Sequence, residues 1–438
     1  MDRRFVLCAM ILCIAEMGLT AVPARAADVF LGVTRSESAA IPASVVRVVA
    51  PASMAGRLSE VKAVLEGDLR RSLVFRMVQP PVLSDLLTAE DANTELVKQI
   101  GREGIEAVIW INLDTNGDDI VLEGHVYDGG TAALVFAKRY LGDGKLLRRI
   151  IHRFADEVVF RYTGERGIAE TRIAYVSKVT GFKELYVMDY DGYDPRRITS
   201  DRSLALSPEW SPDGRWITYT TFRDGNPNIY TLELQTGRRW KMVGFQGLNI
   251  SPAWTPQGDR LLFASAREGT LQLYSMKPDR SDLRRLTAGF ADNLSPSLSP
   301  TGMEMAFVSN RGGTPQIYLA SSDGTNPRRL TFKESYNTSP AWSPKGDWIA
   351  YVCQVEGQMR ICLITPDGEN QLQLTDGPGE QEDPAWSPDG KHLVFRSTEA
   401  SSGGDLYRMG VGRSDMERLT FNGALNSSPV WSPIINTN

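Results

Sequence analysis

The chain has only three histidines, His125, His152 and His392, and each falls in a different predicted element. A zinc hydrolase needs ligands that converge, as in HExxH on one helix, and no such spacing occurs. There is no Gly-x-Ser-x-Gly nucleophile elbow and no phosphate-cradling P-loop. The histidines therefore read as structural or exposed groups. Glu380, Glu382 and Asp383 cluster, but all in one loop. Asp213 and Asp389 stand in "SPDG" turns, where calcium is one reading. Local turn hydrogen bonding explains them without a metal, and the matching slots of two other turns hold Thr301 and Lys345. These residues predict no catalytic group, no metal and no cofactor.

The elements around them repeat. "SPAWSPKGDWIAYVC", residues 339 to 353, has near copies starting at Ser207, Ser251, Ser295 and Asp383, and "SPVWSP" ends the series. The tryptophan slot falls at Trp210, Trp254, Leu298, Trp342, Trp386 and Trp431, in steps of 44 and finally 45 residues. An aromatic slot at Tyr175, Tyr219, Phe263, Phe307, Tyr351 and Phe395 keeps steps of 44 throughout. A tyrosine slot runs from Tyr186 to Tyr407, and a fourth slot holds Thr199, Val243, Thr287, Thr331, Thr375 and Thr420. Each unit reads as four short strands with an Asp-Gly type turn after the first. Four antiparallel strands at this period describe a propeller blade. The first unit lacks its first strand and the chain ends in an unpaired one. If Ser428 to Pro433 completes the first unit, the ring holds six blades and leaves no open edge. The repeated Trp and Pro are then core residues, and function belongs in the loops, where the copies differ.

Two departures from the repeat stand out. Cys353 replaces a Ser or Thr found in the other five units, and Cys362 replaces a Tyr. A hairpin centred on Gly357-Gln358 would set the two opposite each other. A disulfide and a pair of buried thiols both fit. Just before each inner strand stand Ala205, Asn249, Asn293, Asn337, Gln381 and Asn426. Five carboxamides at the mouth of a channel suit a polar protein interface, with Leu248, Leu294 and Tyr336 as apolar anchors. Local capping of turns is the other use of such amides.

Residues 27 to about 165 lack the repeat. A strand near Val45 and a helix over 54 to 73, with Leu58, Val61, Leu65 and Leu69 on one face, open this region. A second helix is expected from about Ser84 to Gly101. Three strands follow, then a last helix capped by Asp143 with Leu146, Leu147, Ile150, Phe154 and Val158 inward. The predicted order β-α-α-β-β-β-α is a compact α/β domain over 43–165, and the propeller covers 166–438. Residues 27–42 read as an extended arm. Ahead of them, Asp2, Arg3 and Arg4, an apolar run from Phe5 to Leu19 broken by Glu16, and Ala24-Arg25-Ala26 follow the plan of a secretory signal peptide cut after Ala26. Bulky Ile11 and Leu12 before Cys13 argue against a lipoprotein signal. The run is too short for a good membrane span. A formal charge of −5 over 438 residues announces no nucleic-acid partner.

The "SPDG" turns resemble the blades of prolyl oligopeptidase-like enzymes, whose hydrolase domain has no counterpart in residues 27–165. A closer resemblance covers nearly all of the chain after the signal. "GDLRRSLVF" at Gly67, "GIEAVIW" at Gly104, "DEVVFRYTGERG" at Asp156, "TRIAYVS" at Thr171, "LYVMDYDGYDPRRIT" at Leu185 and the terminal "PVWSP" resemble the TolB family of the Tol-Pal system. The resemblance implies an α/β N-terminal domain followed by a six-bladed propeller closed by the C-terminal strand. It implies a monomeric periplasmic binding protein of the cell envelope and of cell division, not an enzyme. It implies Pal, an outer-membrane lipoprotein, as partner of the rim at Leu248, Asn249, Asn293, Leu294, Tyr336, Asn337, Gln381 and Asn426. It implies TolA as partner of the arm, at Asp28, Val29, Phe30, Leu31 and Val33, and other outer-membrane proteins as further partners. "FLGVTRSESAA" is not a close copy of the family's commonest arm. A propeller that binds a glycan or peptide, or a propeller hydrolase, are the alternatives.

Overall fold

The computed structural model describes residues 40–80, 94–401 and 403–435. The signal segment, the TolA arm residues Asp28 to Val33 and the first part of the second helix lie outside them.

The small domain is a five-stranded sheet with helices packed on it. β1 (Ile41–Val49) and β2 (Phe75–Met77) run parallel, as do β1 and β3 (Ala107–Asn116). β4 (Asp119–Asp128) and β5 (Leu134–Asp143) continue the sheet antiparallel, in the order β2-β1-β3-β4-β5. The two helices α1 (Leu58–Arg71) and α3 (Leu147–Thr163) bury Val61, Leu65, Leu69, Leu147, Phe154 and Val158 in its main core. The shorter α2 (Thr94–Arg102) covers the other side through Val97 and Ile100. Three expectations change. β2 was absent from the predicted order because three residues carry no readable period. Residues 41 and 42 belong to β1, not to the arm. Asp143 caps a 3-10 turn ahead of α3, accepting from Lys145 N at 2.8 Å, and Leu146 in that turn is exposed while Leu58 is only half-buried.

The link to the propeller is tied by the "DEVVFRYTGERG" stretch. Gly164 ends α3 in the left-handed conformation at φ 73°. Asp156 accepts from Ala169 N at 2.8 Å and Glu170 N at 3.0 Å. Gly167 is required there, since a Cβ would lie 2.0 Å from the Asp156 carboxylate.

Six four-stranded antiparallel sheets form the ring. Blade 1 takes its inner strand, Asn426–Trp431, from the end of the described chain and pairs it with Arg172–Ser177. The tryptophans sit between neighbouring blades. Trp210 Nε1 donates to Val430 O at 3.2 Å, and Trp386 Nε1 to Ala341 O at 2.9 Å. The aromatic slot is fully buried in every blade. The threonine slot is a lock: its hydroxyl accepts the N–H of Leu185, Leu273, Ile317, Ile361 or Leu406 on the third strand, at 2.8 to 3.0 Å.

Cys353 and Cys362 form a disulfide within blade 5, with a Cα–Cα distance of 5.9 Å. They are not directly opposite. Cys353 pairs with Arg360 and Tyr351 with Cys362, so the bridge runs diagonally across one face. The turn is Glu356-Gly357, both at positive φ, one residue earlier than expected. Closing so short a loop contributes about 3 kcal/mol. Chemical unfolding with and without reductant should differ by that amount, and equal curves would contradict it.

Candidate functional site

Chain direction sorts the loops. Each first strand starts at the loop from the preceding blade and ends at the "SPDG" turn. Second-to-third strand loops therefore share a face with the inter-blade loops, and third-to-fourth turns share the opposite one. The small domain sits on that second face. Its Arg71 and Arg148 reach Asp191 in a third-to-fourth turn and Glu417 on the outer strand of blade 6, and Glu165 pairs with Lys391 in an "SPDG" turn. Among the described residues, the face with the inter-blade loops is free of it.

The amides expected on that free face are corrected by the structure. Asn249, Asn293, Asn337, Gln381 and Asn426 all have 0% exposure, and Ala205 is buried too. Asn249 Nδ2 donates to Phe245 O at 2.7 Å while its Oδ1 accepts from Ser265 Oγ at 2.8 Å. Asn293 and Asn337 donate to Gln272 and Gln316 at 3.0 and 2.9 Å. Gln381 accepts from Arg360 Nη1 at 2.9 Å, and Asn426 donates to Asn422 Oδ1 at 2.9 Å. A carboxamide can satisfy both strand and loop at once, so each one fastens the incoming loop beneath the surface. Leu294 and Tyr336 are half-buried beside them, and only Leu248 of the expected rim is exposed.

What the free face does present is aromatic. Phe290, Phe332 and Phe421, in inter-blade loops, are 101%, 70% and 73% exposed. Arg329 and Arg418 lie over the rings of Phe332 and Phe421, each 4.9 Å from the centroid. Sequence reasoning missed these residues, although "RRLTF" at Arg328 placed a phenylalanine just beyond the repeated threonine slot. Glu380 is exposed beside them, Glu382 pairs with Arg396, and Asp383 accepts from Ser428 N at 2.9 Å. Glu382 and Asp383 therefore each serve a partner of their own.

The inner strands enclose a channel cavity of about 520 Å³. Ser207, Ser251, Ser295, Ser339, Asp383 and Ser428 line it, all with φ between 48° and 54°. Each begins a bulge in which Ser-Pro, or Asp-Pro, faces a single residue of the second strand. Glu209 lines the same channel, at a slot held elsewhere by Ala, Ser or Val. It is half-buried by area and has no counter-charge, and desolvation pushes its carboxyl up to about 8. The native state then holds a proton that the unfolded chain releases near 4.5. Stability should fall as pH rises between those values. Glu209→Gln should match the wild type at pH 5 and exceed it at pH 8 in thermal unfolding. A difference that does not change with pH would contradict this.

The histidines lie apart. His125 stacks on Tyr127 in the small domain, and His392 is buried 6.3 Å from the Trp431 ring. Asp213 and Asp389 accept from the N–H of Arg215 and Lys391, each at 3.1 Å, which is the turn role expected of them. His152 is the exception. It belongs to a buried junction that sequence reasoning missed, because Asp68 looks like one more polar residue of α1. Asp68 accepts from Tyr190 Oη at 2.6 Å and lies 2.7 Å from His152 Nδ1. Asp68, His152 and Asp191 bring one ligand atom each within 4.8 Å. Tyr190 and Arg71 engage Asp68, Arg71 and Arg148 engage Asp191, and His152 Nδ1 faces Asp68, so the three residues belong to one buried ion-pair network.

A family model described as the TolB beta propeller domain matches residues 159–381 and 338–437. The chain belongs to the TolB propeller family. Similar relatives include a TolB homolog of Chlorobium chlorochromatii, 34% identical over 247 residues, 55% of either chain. A Tol-Pal system protein TolB of Geobacter sulfurreducens is 36% identical over 209 residues, 47% of this chain and 48% of that one. The chain thus spans about half the length of the curated relatives it matches. The solved TolB of Acinetobacter baumannii is 26% identical, covers 90% of this chain and 97% of its own, and superposes with a TM-score of 0.77. That similarity extends through the small domain as well as the ring. Among the described residues, no helix is long and apolar enough to cross a membrane.

Proposed function

We propose that the chain is the TolB component of a Tol-Pal system and acts in the periplasm as a binding protein. In this reading the free mouth of the propeller takes the outer-membrane lipoprotein Pal. The segment from Ala27 to Ser38, with Asp28, Val29, Phe30, Leu31 and Val33, engages TolA. The pair of contacts links envelope layers and supports outer-membrane constriction at division. The observation that carries the reading is the two-faced ring: the small domain occupies one face, and Leu248, Phe290, Phe332 and Phe421 stand in solvent on the other. Exposed aromatics over a rigid scaffold supply contact area at little entropic cost, as at protein interfaces generally. The buried amides hold the loops that present them.

Calorimetric titration with the soluble domain of Pal from the same organism tests this. Leu248→Ala combined with Phe332→Ala should weaken binding at least about tenfold, or 1.4 kcal/mol. Asn337→Ala should leave affinity nearly intact while lowering stability by about 1–3 kcal/mol, the cost of an unpaired buried group. No binding by the wild type would overturn the reading and direct attention to a glycan or peptide in the channel.

A further inference from the structure

The junction between the small domain and the propeller is made of buried charge. From the small domain come Asp68 and Arg71 on α1, and Arg148 and His152 on α3. From the propeller come Tyr190 and Asp191 of blade 1, and Arg408 and Glu417 of blade 6. Tyr190, only 1% exposed, donates its hydroxyl to Asp68 Oδ1 across the boundary at 2.6 Å. Arg71 Nη2 donates to Glu417 Oε1 at 2.8 Å, and Arg148 pairs with Asp191. The Arg408 guanidinium lies 5.2 Å from the Tyr190 ring centroid. His152 meets the same ring edge-on at 5.7 Å while its Nδ1 faces Asp68 Oδ2 at 2.7 Å.

We propose that Asp68, His152 and Tyr190 form a proton-operated latch, which holds the small domain on the propeller while His152 is charged and slackens when it loses its proton. The charges around the ring support this. Asp68, Asp191 and Glu417 are engaged by Arg71, Arg148 and Arg408. Asp189, also beside His152, faces Arg172 and Arg148 as well. Loss of the His152 proton removes a cation that faces both Asp68 and Asp189. Nδ1 is committed to Asp68, while Nε2 is buried with no hydrogen-bond partner among the described residues, which makes it the nitrogen whose proton is lost. The hydrogen bond and the charge of Asp68 hold the His152 proton above its ordinary value, against desolvation, with Asp191 helping and Arg148 opposing. A raised value means that docking gains fully below the unfolded-state value and is lost as pH rises through the folded one. The device is distinct from the mouth, and it makes relative domain position a function of pH.

The test follows His152 and domain position together. Only three histidines occur, so NMR ring signals can be assigned with His125→Gln and His392→Gln. Bioorthogonal nitroxides at exposed Lys98 and Met303 report the distance between domains. In the wild type the distance distribution should broaden as pH rises, with a midpoint that coincides with the His152 titration and lies above about 6.5. His152→Gln keeps a donor for Asp68 without the charge, and should abolish the midpoint. Tyr190→Phe keeps the ring and should leave the domains loose at every pH. A wild-type distribution that does not change through the His152 titration, or a transition that persists in His152→Gln, would overturn the latch.

Discussion

Trp431→Ala should lower stability by about 3–5 kcal/mol, the usual cost of emptying a large buried aromatic site. Trp431 is 5% exposed and packs with Tyr175, Tyr186 and Leu406, which belong to blades 1 and 6. Its Nε1 donates to Thr171 Oγ1 at 2.7 Å, joining residues 260 positions apart. Beside it, Ser432 N donates to Arg172 O at 2.8 Å and Arg172 N to Ser432 Oγ at 3.0 Å. The site thus clasps the two ends of the ring. Truncation before Asn426 goes further and strips blade 1 of its inner strand, leaving the inner edge of Arg172–Ser177 unpaired. We expect that truncated chain to lose the cooperative transition and to aggregate. Urea unfolding followed by tryptophan fluorescence checks both. A loss below about 1 kcal/mol for Trp431→Ala would mean that closure depends on other contacts.

Asp68→Ala should cost about 3–5 kcal/mol, as expected when one partner of a buried ionic group is removed. It strands the Tyr190 hydroxyl and the His152 ring, and takes from Arg71 one of its three carboxylates. Asp68→Asn should cost less, because an amide oxygen still accepts from Tyr190. The loss should also change the form of unfolding. With the junction weakened, the small domain and the ring should melt in two steps instead of one. Differential scanning calorimetry distinguishes this from a uniform shift, and an unchanged melting curve would show that the apolar contacts suffice.

Much of the ring was legible because a repeat multiplies weak signals. One "PAW" segment is an ambiguous short strand, but six in phase fix the blade, the blade count and the closing strand. The bulges were not legible. Nothing in Ser-Pro announces a left-handed serine, and the conformation appears only once the inner strand must bend around a channel. The cysteine pair was placed in the correct hairpin but one residue out of register, since Glu356-Gly357 and Gly357-Gln358 are equally plausible turns on paper. The exposure of the rim amides was misread for a physical reason. Asparagine at a loop end can face a partner or its own backbone, and sequence does not distinguish the two. Here the side chains of Ser265, Gln272 and Gln316 lie within reach and bond the amides inside the fold. The junction was invisible because Asp68, His152 and Tyr190 are far apart in sequence and belong to three separate elements.

The claim that partner binding belongs to the free face can be tested with one photo-crosslinker at two sites. Phe332 lies in an inter-blade loop on that face, and Met303 lies in a first-to-second strand turn on the other. Both are about seven-tenths exposed. With benzoylphenylalanine at each position and the soluble Pal domain added, the account predicts a strong adduct from position 332 and none from 303. An adduct from 303 alone would place the partner on the small-domain face and contradict the assignment.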